Sequence, residues 1–282
     1  MSTLREKRKK ERRALRRRKT ADWTVVLILC AIAVCCGGYL VYHHWSVKQR
    51  ELEYEKMRQE ETLSAATEMV IAEPETEEST EETVIYCDPV YDFGQLREQN
   101  EDIYAWIVVP GTQVDYPLLQ SGTDNYYLDY NLDHSKGYPG CIYTNQCNRK
   151  DFSDYNTVLY GHNMKNGSMF GSIHSFEDET FFDGHPYIYV YTENERLTYE
   201  IYEAAKFTDV YIPSEYVISS KDDRDQFLAD VREKVSDNKL HVREDMQIGE
   251  DDRLITLSTC VNGERNHRYL VIGVLVETAV YR

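Results

Sequence analysis

Residues 24–42, TVVLILCAIAVCCGGYLVY, carry no charged side chain. A run of this length and composition is about what an α-helix needs to cross a bilayer. Trp23, Tyr39, Tyr42 and Trp45 stand near its ends, where amphipathic rings favour the headgroup region. Residues 1–19 are dense in Lys and Arg, with only Glu6 and Glu11 against them, and the stretch after the apolar run is rich in Glu. The positive-inside rule therefore predicts a cytoplasmic segment over residues 1–22, a single transmembrane helix over 23–45, and an extracellular remainder. A cleaved signal peptide is the competing reading, and Cys35, Cys36, Gly37 and Gly38 are small enough for it. The chain stays apolar and bulky through residues 39–45, which favours a retained anchor.

The formal net charge of -17 hides this basic start, so the acidic excess lies entirely downstream of the apolar run. An acidic ectodomain argues against nucleic acid as a partner, since phosphate binding needs a positive footprint. The basic stub fits topology and contact with anionic membrane lipid. Of the seven cysteines, Cys30, Cys35 and Cys36 lie in the apolar run, leaving Cys87, Cys141, Cys147 and Cys260 outside. Four scattered cysteines in a domain of this size do not read as a disulfide framework. Cys141 and Cys147 are near enough in sequence to pair, and equally stand as free thiols. No Cys or His pair at ligand spacing accompanies them, so no metal site is expected.

Residues 46–70 are rich in helix formers and read as a helical stalk. Residues 71–84, IAEPETEESTEETV, combine like charges with one Pro and little to bury, which predicts a flexible acidic spacer. A globular domain is expected over 86–282. Its start, YDFGQLREQNEDIYAWIVV, predicts a short helix capped by Asp92, with Phe93 and Leu96 inward, running into a strand. GCIYT, NTVLYG, YIYVYT, LTYEIYEAAKF, RLITLST and RYLVIGVLVE read as strands by length, alternation and β-branched content. One helix interrupts them, SSKDDRDQFLADVREKVSD, with Ser219 or Ser220 as cap and Phe227, Leu228, Val231 and Val235 on one stripe. Many short strands without βαβ alternation predict a mainly β barrel or sandwich.

The chemistry concentrates in the last strand pair. Cys260 ends the strand RLITLSTC, the turn VNGERNH follows, and Arg268 begins RYLVIGVLVE. A hairpin would bring both to one rim. Taken alone, Cys260 reads as a small buried hydrophobe and Arg268 as a surface charge. The third element is VLYGHNMKNGSMFG, where a strand ends at Tyr160 and His162 follows in a Gly- and Asn-rich loop. Of the eight histidines, His43 and His44 abut the apolar run. His134, His174, His185, His241 and His267 lie in polar contexts without a comparable strand-end setting. His162 is therefore the preferred base.

Together, TLSTC with Arg268 after a short turn, YGHNMKNGSMF around the histidine, DFSDYNTVLYGHN leading into it and IYAWIVVPGTQVDYPLLQSGTDNYYL near the domain start resemble the sortase family, most narrowly class B sortases. The resemblance runs from about Val90 to the C-terminus. It implies Cys260 as nucleophile, His162 as acid/base and Arg268 as stabilising cation, with Tyr160 and Ser258 lining the substrate groove. Leu128, Tyr211 and Ile212 are weaker matches to groove positions. The implied fold is a closed β-barrel with N-terminal helices and a long helix between two late strands. The implied reaction cuts the sorting signal of another exported protein after its Thr, leaves a thioacyl group on Cys260, and passes it to an amine of peptidoglycan or its lipid-linked precursor. No metal or organic cofactor is implied.

These residue types suit acyl transfer. A free thiol is mostly protonated at neutral pH and needs tuning or a base. Histidine shares charge with a thiolate and, as imidazolium, protonates a departing amine. Arginine offers a fixed fork that cannot deprotonate to the oxyanion of the tetrahedral intermediate. Three other readings compete: a cysteine protease that releases to water, a cell-wall cross-linking transpeptidase with an SxGCxR-like signature where this chain has STCVNG, and an inactive surface binding or scaffold protein.

Overall fold

The computed structural model describes residues 2–66, 85–234 and 240–282. The spacer expected over 71–84 and the stripe residue Val235 lie outside the described residues. The chain divides into two compact units, Met1–Glu53 and Tyr54–Arg282.

The first unit is helical throughout its described length, as part of helix α1 (Ser2–Ala66). Val25–Gln59 is long and apolar enough to cross a membrane. Its large apolar side chains, among them Leu27, Val34 and Leu40, are exposed, so water alone would leave this surface unpaid for.

The second unit is a barrel. In chain order its elements are β1 (Ile85–Cys87), α2 (Phe93–Gln99), β2 (Ile103–Val108), β3 (Asp115–Leu119), α3 (Tyr126–Asp129), β4 (Ile142–Thr144), β5 (Asn156–Tyr160), α4 (Glu179–Gly184), β6 (Tyr187–Tyr191), β7 (Glu195–Thr208), α5 (Ile212–Glu215), α6 (Lys221–Lys234), β8 (His241–Val242), β9 (Leu254–Val261) and β10 (Glu264–Tyr281). A 3₁₀ turn, Gly171–Glu177, precedes α4. Strand neighbours run β10-β9-β5-β4-β3-β2-β6-β7, and β7 pairs back onto β10. Eight strands therefore close a ring, with β1 and β8 as short additions. Closure removes the sheet edges that would otherwise invite pairing with another chain.

The interior follows from alternation. Trp106, Leu118, Leu159, Ile188, Tyr199, Leu257 and Val271 are fully buried in the main cluster. A second cluster lies under α6, where Phe227, Leu228 and Val231 meet Phe207, Leu254, Leu270 and Ile272. The expected stripe of α6 is thus its buried face. Ser220 caps this helix, its Oγ accepting from Asp223 N. Asp92 caps α2 as expected, accepting from Gly94 N and Gln95 N.

The last turns of α1 that belong to this unit also enter the core. Tyr54 and Met57 are buried. The Tyr54 hydroxyl donates to the Gly140 carbonyl at 3.3 Å, and its ring meets Tyr116 edge-on at 5.2 Å. Arg58 Nη1 donates to the Asp115 carbonyl. Residues that sequence alone reads as stalk therefore supply two side chains to the barrel's hydrophobic cluster.

Candidate active site

Three adjacent strands build the site. β9 lies between β5, to which it runs parallel, and β10, to which it runs antiparallel. Parallel pairing brings the C-terminal ends of β5 and β9 to the same rim, with Tyr160 opposite Ser258. The antiparallel hairpin sets Arg268 opposite Cys260. Cys260 is the first exposed residue after six buried ones on β9, which is where the sequence expects the chain to leave the core. Its thiol is free.

The loop after β5 carries His162. Gly161 must be glycine there, because a Cβ would fall 2.5 Å from Ile142 Cδ1 and 2.8 Å from Phe170 Cδ2. The loop is tied back by Gly161 N to the Ser258 carbonyl, Phe170 N to the His162 carbonyl and Thr259 Oγ1 to the Gly161 carbonyl. The His162 ring packs against Tyr138, with centroids 4.7 Å apart. Its Nε2 lies 2.7 Å from the Leu128 carbonyl. A carbonyl only accepts, so Nε2 carries the proton and donates, which leaves Nδ1 to take up or release one.

Arg268 Nη1 donates to the carbonyls of Arg265 and His267. Among the described residues it has no carboxylate within ion-pairing distance, so its charge is not neutralised by a neighbour. The pairing of β9 with β10 slips between Glu264 and Arg268, and this irregularity turns the hairpin end away from a plain ladder.

A tyrosine wall extends from the rim. Tyr143 stacks on Tyr160 at 5.5 Å, and Tyr160 on Tyr211 at 6.2 Å. The Tyr211 hydroxyl accepts from Asn145 Nδ2 and lies 3.9 Å from Cys147 Sγ. Burial, with that hydrogen bond opposing it, pushes the Tyr211 phenol up to about 12. The Tyr143 hydroxyl bonds Asn125. The Tyr160 hydroxyl is buried with no partner, and burial drives its pKa up.

Of the other sequence-derived groove residues, Ser258 is nearly buried beside Tyr160, and Leu128 is exposed beside His162. Ile212 is buried in the cluster under α6, so it offers no surface. Cys141 is buried and Cys147 exposed, and both are free thiols.

Sequence reasoning did not mark two residues that touch Cys260. Asn163 Nδ2 donates to the Cys260 carbonyl at 2.8 Å, and His174 Nε2 lies 3.0 Å from the same oxygen. His174 Nδ1 is 2.7 Å from Glu177 Oε1. The available signal was the His–x–x–Glu spacing of His174 and Glu177, interleaved with the buried Ile173 and Phe176.

Comparison with known proteins accords with this geometry. A family model described as the sortase domain matches residues 107–276, more than half of the chain. Sortase B of Listeria monocytogenes is 34% identical over 168 residues, covering 58% of this chain and 65% of its own length. The chain thus spans just under two thirds of that relative. The crystal structure of Clostridium perfringens sortase B is 30% identical, with a TM-score of 0.59 over 66% of this chain and 100% of that one. The Staphylococcus aureus sortase B–substrate complex is 25% identical, with a TM-score of 0.63 over 82% and 97%.

Proposed function

Because this chain belongs to the sortase family, we propose that it is a class B-type cysteine transpeptidase, anchored by the helix within Val25–Gln59 and working outside the cell. The observation that carries the reading is the convergence on one rim of an exposed free thiol, an unneutralised guanidinium opposite it and an imidazole from the neighbouring parallel strand's loop. A buried scaffold cysteine would need none of these neighbours.

In this reading the Cys260 thiolate attacks the carbonyl carbon after the Thr of a sorting signal. Arg268 swings from its own turn to donate to the oxyanion, where a cation is worth most. As the C–N bond breaks, the imidazolium of His162 gives its Nδ1 proton to the departing amine. An amine of peptidoglycan or its lipid-linked precursor then attacks the thioacyl carbon and yields a proton to His162, and the thiolate leaves. The Leu128 carbonyl supports this cycle by holding Nε2–H throughout. Tyr160, Ser258, Leu128 and Tyr211 would contact the signal peptide.

The test uses the full chain in detergent micelles with a panel of fluorogenic sorting-signal peptides, with and without an amine acceptor, beside Cys260→Ala. Cleavage that requires Cys260 and shifts to an amine-capped product is expected. Cleavage indifferent to the amine would indicate a protease, and no cleavage by the folded protein would return the chain to the binding-protein reading.

A further inference from the structure

Both holds on the His162 ring come from one segment of chain. The Leu128 carbonyl, 2.7 Å from Nε2, lies in α3, and Tyr138, with its ring centroid 4.7 Å from the imidazole, lies in the loop from α3 to β4. Tyr138 is 55% exposed, so its ring adds little to the barrel's core. What its covered face touches is the imidazole.

The loop is tied down just beyond Tyr138. Gly140 N donates to Asn131 Oδ1 at 3.1 Å, and Cys141 N donates to the Tyr127 carbonyl at 3.0 Å. Gly140 has φ +68°, and a Cβ there would fall 2.6 Å from the Tyr127 carbonyl oxygen and 3.0 Å from that of Leu128. Glycine thus lets the loop lie directly on the carbonyl that orients His162. Between Gly140 and Tyr138 stands Pro139 alone, whose ring fixes its φ and leaves the two residues little independent motion.

The Gly140 carbonyl is held from α1. It accepts from the Tyr54 hydroxyl at 3.3 Å. Tyr54 is itself buried and braced edge-on by Tyr116, the neighbouring Met57 is buried, and Arg58 Nη1 donates to the Asp115 carbonyl at 3.0 Å. A run of contacts therefore leads from the end of α1 through Gly140 and Tyr138 to the imidazole.

We propose that Tyr138 is a positioning residue for His162, and that the end of α1, through Tyr54, holds the loop that carries it. This rests on the assignment of His162 as the acid/base group. Without the Tyr138 ring beside it, the imidazole turns off the Leu128 carbonyl, and Nδ1 leaves the line of proton transfer. A stretch that reads as a stalk in sequence thereby sets the orientation of a reacting side chain.

Two measurements on the full chain in micelles test this. The first is hydrogen–deuterium exchange at the imidazole Cε1–H of His162, read by mass spectrometry of its peptide, with His241 on β8 as internal control. The second is kcat and KM for the peptide panel. Tyr138→Ala is expected to speed exchange at His162 several-fold, leave His241 as it was, and lower kcat on the order of 10- to 100-fold, the cost of a misplaced reacting group, with KM little changed. Tyr138→Phe keeps the ring and should recover both readings. Tyr54→Phe removes only the hydroxyl bond to Gly140 and should shift both readings in the same direction by less.

Unchanged exchange at His162 in folded Tyr138→Ala would overturn the proposal, as would a raised KM with unaltered kcat, which would make Tyr138 a substrate contact. Wild-type exchange in Tyr54→Phe would overturn the link to α1. If Tyr138→Ala does not fold, Tyr54→Phe decides. If the wild type turns over no peptide, the transpeptidase reading fails, and the exchange rates still decide whether Tyr138 holds the ring.

Discussion

Arg268 stands directly opposite Cys260 across the β9–β10 hairpin, yet its guanidinium donates to the carbonyls of Arg265 and His267 in its own turn. The two contacts are to neutral acceptors, so the cation is stored close to the thiol at modest cost. An oxyanion forming beside Cys260 would outcompete them, since charge-assisted hydrogen bonds are roughly twice as strong.

Arg268→Lys should therefore not be conservative. A compact ammonium cannot reproduce the fork, and loss of one oxyanion donor typically costs on the order of 100- to 1000-fold in kcat. Thermal unfolding should be unchanged, because among the described residues the side chain is bonded only to its own loop. Near-normal turnover by the folded variant would remove Arg268 from the mechanism.

Tyr160 carries the one wall hydroxyl that is buried and unpartnered, while those of Tyr143 and Tyr211 are bonded to Asn125 and Asn145. Tyr160→Phe should stabilise the free protein slightly by removing an unsatisfied group. The same change should raise KM for a signal peptide several-fold if the hydroxyl meets the substrate. Isothermal denaturation and steady-state kinetics on one preparation read both effects, and an unchanged KM would take the hydroxyl out of the groove.

Glu203 gives a pH signature unrelated to catalysis. It is fully buried on β7, with Oε2 3.5 Å from Arg232 Nε and Oε1 unpartnered. Burial raises its pKa to about 7, against the lowering effect of Arg232. The folded state thus holds a proton that the unfolded state releases at ordinary carboxylate pH. The linked stability is full at acid pH and is lost as pH rises through about 7. Glu203→Gln should leave the unfolding temperature near pH 4 almost unchanged and raise it by several degrees at pH 8.5, for a gain on the order of 3 kcal/mol. A uniform shift at both pH values would mean that Glu203 is already ionised when folded.

Met57→Ala tests whether the end of α1 is part of the folded unit. Met57 is 2% exposed within the main cluster, and a buried Met→Ala change costs roughly 2–5 kcal/mol. For the same reason a fragment beginning at Tyr86 should unfold at a lower temperature than one beginning before Tyr54, as differential scanning fluorimetry would read directly.

That packing shows where sequence reading reaches and where it stops. Asp92, Ser220 and the Phe227–Leu228–Val231 stripe are local signals of capping and period, and each appears as expected. The rim of Cys260 and Arg268 follows from two apolar strands joined by turn residues. Tyr54 and Met57 were hidden because a helix-forming stretch does not reveal which side it buries. The contacts of Asn163 and His174 with the Cys260 carbonyl were hidden because they span 97 and 86 residues of chain.

The barrel's strand order has a consequence in time. β9 must dock between β5, which is made about a hundred residues earlier, and β10, which closes the ring onto β7. Every group in the rim is therefore scattered until the final hairpin arrives, and contacts of such long sequence separation form slowly. A chain still emerging, or one cut before its last strand, holds the thiol without the rim that surrounds it. The site proposed for the chemistry is completed by the last seam of the barrel.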